Sequence, residues 1–79
     1  MRVRVLLFAA MRERLGTAGL DLELAPGARV ADAIAALEVR HPGLTEQRFV
    51  CAVDETYATP STPLNEGSAL ALIPPVSGG

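Results

Sequence analysis

The 79-residue sequence predicts one α+β domain, in which a single main helix packs across one face of a mixed β-sheet. Three observations lead to this prediction. Apolar and polar residues alternate near the start of the chain, a longer segment in the middle has helical spacing, and a wholly apolar strand lies near the end. Because a helix with one apolar stripe covers only one sheet face, this order favours a two-layer domain.

Strict alternation predicts the first two strands. Val3, Val5 and Leu7 recur at every second position, and leucines alternate with carboxylates over residues 20–24. If these two strands pair antiparallel, their exposed charges face each other across the pair. The expected cross-strand pairs join Arg2 and Arg4 with Asp21 and Glu23.

The spacing of apolar residues also predicts two helices. Met11 and Leu15 lie four residues apart, and Gly16 follows them as a terminator, which predicts a short helix of about two turns. The longer helix precedes a Pro-Gly pair at 42–43 that ends it, and it has an apolar stripe with spacing i, i+4 and i+7. The stripe consists of Val30, Ile34 and Leu37, with Ala33 beside them.

The second half of the chain supplies the remaining strands. Residues 49–53 are a predicted strand, and residues 57–58 are expected to form a short edge segment. Residues 69–73 are apolar on both faces, so this strand is expected inside the sheet. Pro74-Pro75 ends it, because proline removes the N–H donors that a sheet needs. The resulting ββαββ order is that of the β-grasp, the ubiquitin-like fold.

The composition excludes several kinds of chemistry. All seven basic residues are arginine, so the chain can form neither a lysine Schiff base nor a phosphate-binding P-loop. One Cys and one His cannot build a zinc or iron–sulfur site within one chain. A net charge of −2 argues against nucleic acid as a partner. The chain is therefore poorly equipped to act as an enzyme on its own.

The cysteine and the histidine are expected to be structural, and the compartment to be the cytoplasm. Cys51 has no partner for a disulfide, which fits a reducing compartment, and it alternates with apolar neighbours as a buried residue does. His41 stands where the long helix is expected to end. No apolar segment approaches the roughly 20 residues of a membrane span, so no membrane partner is expected.

The most informative segment is the end of the sequence, Pro74-Pro75-Val76-Ser77-Gly78-Gly79. A rigid diproline directs the chain away from the sheet, and two glycines without Cβ atoms could thread a narrow channel. ATP could activate a carboxylate at Gly79 as an acyl-adenylate, which a sulfur nucleophile could convert to a thiocarboxylate. The alternative is that these residues are a frayed terminus without a function. We expect a domain over residues 1–74 and a flexible tail over residues 75–79.

Four groups of residues carry a resemblance to a known family. They are Phe8-Ala9 with Arg12-Glu13 and Gly16, Ala52-Val53-Asp54, Pro63-Leu64 with Gly67, and the six residues from Pro74 to Gly79. On these residues, and over its whole length, the chain resembles the MoaD family, the small sulfur-carrier subunits of molybdopterin synthase among the ubiquitin-like sulfur carriers. Ile73 departs from the pattern, since relatives often have Phe there.

The resemblance implies a cycle with several partners. An E1-like enzyme would use ATP to adenylate Gly79, which follows Gly78, and a desulfurase or rhodanese would supply the sulfur of the thiocarboxylate. The tail would then enter the large synthase subunit, where the sulfur passes to a cyclic pyranopterin monophosphate. The chain itself would bind no cofactor. The family implies a heterotetramer of two large and two small subunits.

The resemblance also suggests which residues contact these partners. Phe8 either packs in the core or forms an exposed apolar patch with Leu72 and Ile73, and Arg12 is either a solvated helix residue or a partner contact. The tail contacts would come from Pro74, Pro75, Val76 and Ser77.

Other functions share parts of this pattern. A carrier for thiamine thiazole or tRNA thiolation would use the same chemistry at Gly79 with a different acceptor. A protein modifier would instead join Gly79 to lysines of target proteins. A β-grasp interaction module with an inert tail is the remaining alternative.

Overall fold

The computed structural model describes residues 1–75. Along the chain it contains β1 (Arg2–Leu7), α1 (Ala9–Leu15), β2 (Gly19–Glu23), α2 (Val30–Arg40), a 3₁₀ helix (Leu44–Glu46), β3 (Val50–Val53), β4 (Thr56–Ala58) and β5 (Ala69–Ile73). The sequence therefore predicts every one of these strands and α-helices to within about two residues at each end, whereas the 3₁₀ helix was not predicted. Within residues 1–75, no helix is both long enough and apolar enough to cross a membrane.

The five strands form one mixed sheet in the order β2-β1-β5-β3-β4. The central strands β1 and β5 run parallel, and the other neighbouring pairs are antiparallel. Strand β5 thus lies inside the sheet, as its apolar residues on both faces predict. The arrangement confirms the predicted α+β class and the β-grasp order of elements.

The hydrophobic core lies between the sheet and α2. The inward residues of β1 are 0–1% exposed, and those of β5 are fully buried. Helix α2 covers them with Val30, Ala33 and Leu37, whereas Ile34 is only half-buried. The buried face of α2 is therefore rotated slightly from the predicted stripe, toward Ala33 and away from Ile34. Full burial of each leucine or valine stabilises the fold by about 1.5–3 kcal/mol.

The start of α2 is capped without Ser or Thr. The carboxylate of Asp32 accepts a hydrogen bond from the backbone N–H of Arg29 at 2.7 Å. The N–H groups of the next two residues donate to the carbonyls of Thr62 at 3.0 Å and Pro60 at 2.9 Å. Because the first N–H groups of a helix have no partner within it, these contacts satisfy them and fasten the loop before β5 to α2.

The predicted cross-strand charge pairs are present on β1 and β2. Arg2 is paired with Glu23 and Arg4 with Asp21, each at 3.3 Å, and the strand register places the members of each pair opposite each other. All four side chains are largely exposed. Such pairs contribute about 0.2–1 kcal/mol each, so they specify the register more than they stabilise the fold.

A polar network holds the connection after α2. The carboxylate of Glu38 accepts hydrogen bonds from the hydroxyl and the N–H of Thr45 and from the N–H of Gly43. The guanidinium of Arg14 donates to the carbonyls of Pro42 at 2.8 Å and Gly43 at 3.0 Å, which ties α1 to the same turn. The hydrogen bond from the Thr45 hydroxyl, followed by the one from the Gly43 N–H, lowers the pKa of Glu38 below its ordinary value of 4.5.

This network predicts a pH-dependent contribution to stability. Because the pKa of Glu38 is lower in the folded state, the contribution is complete above the unfolded pKa of 4.5 and is lost as the pH falls through the folded pKa. We expect Glu38→Gln to lower the Tm at about pH 7 and to reduce the further loss of Tm between about pH 5 and about pH 3. Thermal unfolding across this range measures both effects.

Glu46→Gln is the matched control for this prediction. Its carboxylate is exposed and makes no hydrogen bond or salt bridge within residues 1–75. This variant should follow the native pH profile. Parallel Tm profiles for the native protein and Glu38→Gln would contradict the assigned role of Glu38.

Candidate functional site

The sheet face opposite α2 is the candidate site. Alternation in β5 turns Leu70 and Leu72 toward the core, so that Ala69, Ala71 and Ile73 face outward. Together with outward residues of β1 and β3, they form the floor of a shallow depression with a volume of about 390 Å³. We call this depression the outer groove; its apolar floor consists of Leu6, Ala52, Ala69, Ala71 and Ile73.

Two aromatic side chains and one carboxylate complete the outer groove. Phe8, which is 43% exposed, stands after β1, and Tyr57, which is 76% exposed, stands on β4. Glu55, in the turn between β3 and β4, supplies the charged side chain of the lining. An apolar floor between exposed aromatic rings is typical of surfaces that bind another protein.

The structure corrects one predicted member of the exposed apolar patch. Leu72 is fully buried, with an exposed fraction of 0%, and packs in the core beneath α2. Its neighbour Ile73 is half-buried and lines the outer groove. The prediction that Leu72 belongs to the patch is therefore wrong, because successive residues of a strand face opposite sides. Phe8 follows the second of its two alternatives and is a surface residue.

Phe8 owes its position to the abrupt change from strand to helix. Its own backbone is extended, with φ −133° and ψ 157°, and it directly precedes the first residue of α1. That residue, Ala9, has a φ of 50°, in the left-handed region that costs an L-residue about 1–2 kcal/mol. The chain thus turns from β1 into α1 without an intervening loop, and Phe8 is held at the edge of the outer groove.

Arg12 is exposed on α1, one helical turn after Phe8. Within the part of the chain that the structure describes, its guanidinium forms no hydrogen bond and no salt bridge. The structure is compatible with both predicted alternatives, and contact with a partner stays a prediction.

The predicted tail begins at the outer groove. Ile73, which lines the groove, is the last residue of β5 and pairs with Val50. The next two residues, Pro74 and Pro75, are exposed and have left the sheet. The groove is therefore continuous with the root of the tail. The predicted tail residues Val76, Ser77, Gly78 and Gly79 lie outside the described residues.

The cysteine and the histidine occupy the structural positions predicted for them. Cys51 is buried, and desolvation raises the pKa of its thiol. His41 ends α2, and its N–H donates to the carbonyl of Leu37 at 2.8 Å. Among residues 1–75, no group of three or more His, Cys, Asp or Glu residues is placed to hold a metal ion.

Tyr57 and Leu6 are groove residues that the sequence did not single out. Leu6 follows the same alternation as the predicted β1 residues, so its outward position could have been inferred from the strand pattern. Tyr57 lies on a three-residue edge strand, and a segment this short carries too little pattern to show which face its side chain occupies.

Comparison with known proteins identifies the family. The sequence profile of the ThiS family matches residues 5–79. The chain belongs to the ThiS family. A molybdopterin synthase sulfur carrier subunit from Arabidopsis thaliana is 37% identical over 81 residues, which cover 100% of this chain and 84% of the relative. The one from Chlamydomonas reinhardtii is 36% identical over 83 residues, with 100% of both chains covered. The resemblance to small sulfur-carrier subunits is thereby confirmed.

Solved structures show the same fold as this ThiS-family chain. Two structures of small archaeal modifier protein 1 from Haloferax volcanii match with TM-scores of 0.87 and 0.86, at 28% and 26% identity. The first covers 100% of both chains, and the second covers 95% of this chain and 98% of that chain. A complex of subunits 1 and 2 of the molybdopterin-converting factor from Helicobacter pylori matches with a TM-score of 0.73, at 24% identity with 100% of both chains covered.

The two faces of β5 should respond differently to truncation. We expect Leu72→Ala to lower the free energy of unfolding by about 2–5 kcal/mol, because it opens a cavity in the core. Ile73→Ala should lower it by only about 1 kcal/mol, because Ile73 is half-buried on the outer face. Urea unfolding of the two variants measures the difference, and equal losses would contradict the assigned facing of β5.

Proposed function

We propose that this protein carries sulfur for molybdenum cofactor biosynthesis as the small subunit of a molybdopterin synthase. The observation that carries the proposal is the full-length match to sulfur carrier subunits at 37% and 36% identity. The geometry supports it, because the predicted tail leaves from a strand end that lies on an apolar surface. The reactive group would be the carboxylate of Gly79.

Activation at Gly79 would take place on another protein. An E1-like enzyme would transfer AMP from ATP to the carboxylate and release pyrophosphate. The terminal sulfur of a persulfide on a desulfurase or rhodanese would then attack the acyl-adenylate and form the new carbon–sulfur bond as AMP leaves. A thiol would reduce the S–S bond of the resulting acyl disulfide, which releases the thiocarboxylate and leaves a disulfide between the thiol and the persulfide's cysteine. Fully extended, residues 75–79 span at most roughly 16–18 Å, which sets how deep the activating site can lie behind the docking surface.

Docking would use the outer groove and the root of the tail together. The large synthase subunit would place an apolar residue in the groove, between Phe8 and Tyr57, while Ile73, Pro74 and Pro75 guide the chain toward the partner's active site. Arg12 would lie at the edge of this contact. Val76, Ser77 and Gly78 would lie inside a narrow channel of the partner, which glycine can enter because it has no Cβ atom. We expect two large and two small subunits in the assembly.

The sulfur acceptor would be a cyclic pyranopterin monophosphate in the large subunit. This acceptor is anionic, and the small subunit has no lysine and a net charge of −2. The groups that bind the phosphate, and the catalytic lysines, are therefore expected on the large subunit. The carrier would contribute the sulfur and the position of its tail.

A second candidate function is protein modification. It is favoured by the match to small archaeal modifier protein 1 with a TM-score of 0.87 at 28% identity. In this case the activated Gly79 carbonyl would form an amide bond with a lysine of a target protein. A carrier for thiamine thiazole or tRNA thiolation would share the thiocarboxylate and differ only in the acceptor.

The first test concerns Gly79. With an E1-like enzyme, ATP and a sulfur donor, intact-mass spectrometry should show one oxygen of the protein replaced by sulfur. Deletion of Gly79 should abolish this change and leave the Tm nearly unchanged, because the tail lies beyond the last strand. A mass that never changes under these conditions would contradict the carrier function, and adducts on target lysines would favour the modifier.

The second test concerns the outer groove. We expect Phe8→Ala to raise the Kd for the large synthase subunit by about 10-fold or more, as truncation of an aromatic residue that becomes buried on binding does at many interfaces. Val39→Ala is the matched control, because Val39 is 79% exposed on α2, on the opposite side of the sheet. Titration calorimetry measures both affinities. Equal affinities of the two variants would show that docking does not use the groove.

A further inference from the structure

The turn between β3 and β4 has an unusual backbone for its sequence. Asp54 and Glu55 both have positive φ angles, 47° and 71°. Two successive residues with positive φ form the tight hairpin turn that matches the twist of the strands, and glycine is strongly preferred at the second position. This chain has glutamate there, in a conformation that an L-residue adopts only at a cost.

The contacts of Asp54 account for one of the two strained residues. Its carboxylate accepts a hydrogen bond from the N–H of Ala69 at 2.9 Å, and its own N–H donates to the carbonyl of Ala69, also at 2.9 Å. These two bonds fasten the turn to the start of β5. The two hydrogen bonds to Ala69 therefore account for the positive φ angle of Asp54.

No such contact accounts for Glu55. Its side chain is exposed, and within residues 1–75 its carboxylate forms no hydrogen bond and no salt bridge. The side chain lines the outer groove. A strained residue without a structural contact, placed at a binding surface, is the pattern expected where function retains the strain.

Among residues 1–75, no cationic side chain pairs with Glu55 on this face of the sheet. Arg2 and Arg4 lie on the outward side of β1, but they are paired with Glu23 and Asp21 at 3.3 Å. The other residues that line the outer groove are apolar or aromatic. As far as the described part of the chain shows, the groove therefore presents an apolar floor with one unpaired negative charge, that of Glu55, in its lining.

We propose that Glu55 determines partner specificity by pairing with a cationic side chain on the large synthase subunit. The partner would present an arginine or lysine beside the apolar residue that fills the groove. An arginine would fit best, because its guanidinium can bind both carboxylate oxygens. A charge at the rim of an interface selects the partner and accelerates its association more than it tightens the complex. The inference rests on the proposed function and names the chemistry that this surface recognises.

Glu55→Gly tests the proposal, because stability and binding should change in opposite directions. Glycine relieves the backbone strain, so the Tm should equal or exceed that of the native protein. The Kd for the large subunit should nevertheless rise about 2- to 5-fold at about 50 mM salt, the effect of losing one exposed ion pair. Glu55→Gln should weaken binding similarly, and Glu55→Lys should weaken it further. Calorimetric titration and thermal unfolding of each variant provide the two readouts.

Salt dependence and a matched control isolate the charge. The native Kd should rise more steeply between about 50 and 200 mM salt than the Kd of Glu55→Gln. Glu46→Gln removes the same charge from the 3₁₀ helix, away from the groove, and should bind as the native protein does.

Two results for the variants would overturn the inference. Native affinity in Glu55→Gly and Glu55→Gln would show that the charge recognises nothing, and a large loss of Tm in Glu55→Gly would give Glu55 a structural role. If the native protein acquires the thiocarboxylate and binds the large subunit, and the Glu55 variants bind equally well, only this inference fails. If the native protein neither acquires the thiocarboxylate nor binds the large subunit, the proposed function fails as well.

Discussion

Strand β5 carries apolar side chains on both faces, and the two faces serve different purposes. Its inward residues Leu70 and Leu72 close the core beneath α2, whereas Ala69, Ala71 and Ile73 form much of the outer groove. The same strand ends where the predicted tail begins. Core, docking surface and reactive end are thus linked by the alternation of one five-residue strand, so a shift of one residue in its register would disturb all three.

Much of the fold could be predicted because its pattern is local. Alternation located β1 and β2, and antiparallel pairing was enough to place Arg2 opposite Glu23 and Arg4 opposite Asp21. In contrast, a strand that is apolar on both faces does not reveal which side meets the helix, and for this reason Leu72 was misplaced. Its alignment with Leu7 on β1, a contact between the first and last strands, determines its side.

Other features depend on contacts between segments that are distant in sequence or on backbone angles. The 3₁₀ helix is held by Glu38 on α2 and by Arg14 from α1, neither of which is apparent from residues 44–46 alone. Glu55 looks like an ordinary polar turn residue in the sequence. Its positive φ angle and its position beside the outer groove are visible only in the three-dimensional structure. The chemistry of the tail stays a prediction, which rests on the diproline, the two glycines and the family resemblance.

The parallel pairing of β1 with β5 has a consequence for folding during translation. Val3, Val5 and Leu7 leave the ribosome well before Leu70 and Leu72, so their burial in the core is incomplete until β5 has followed them. Contacts between strands that are distant in sequence form late, because they require closure of a long loop. A nascent chain therefore cannot complete its sheet until it has been translated nearly to its tail. The outer groove includes residues of β5, so a partner that binds it can recognise only a carrier that has been synthesised through this strand.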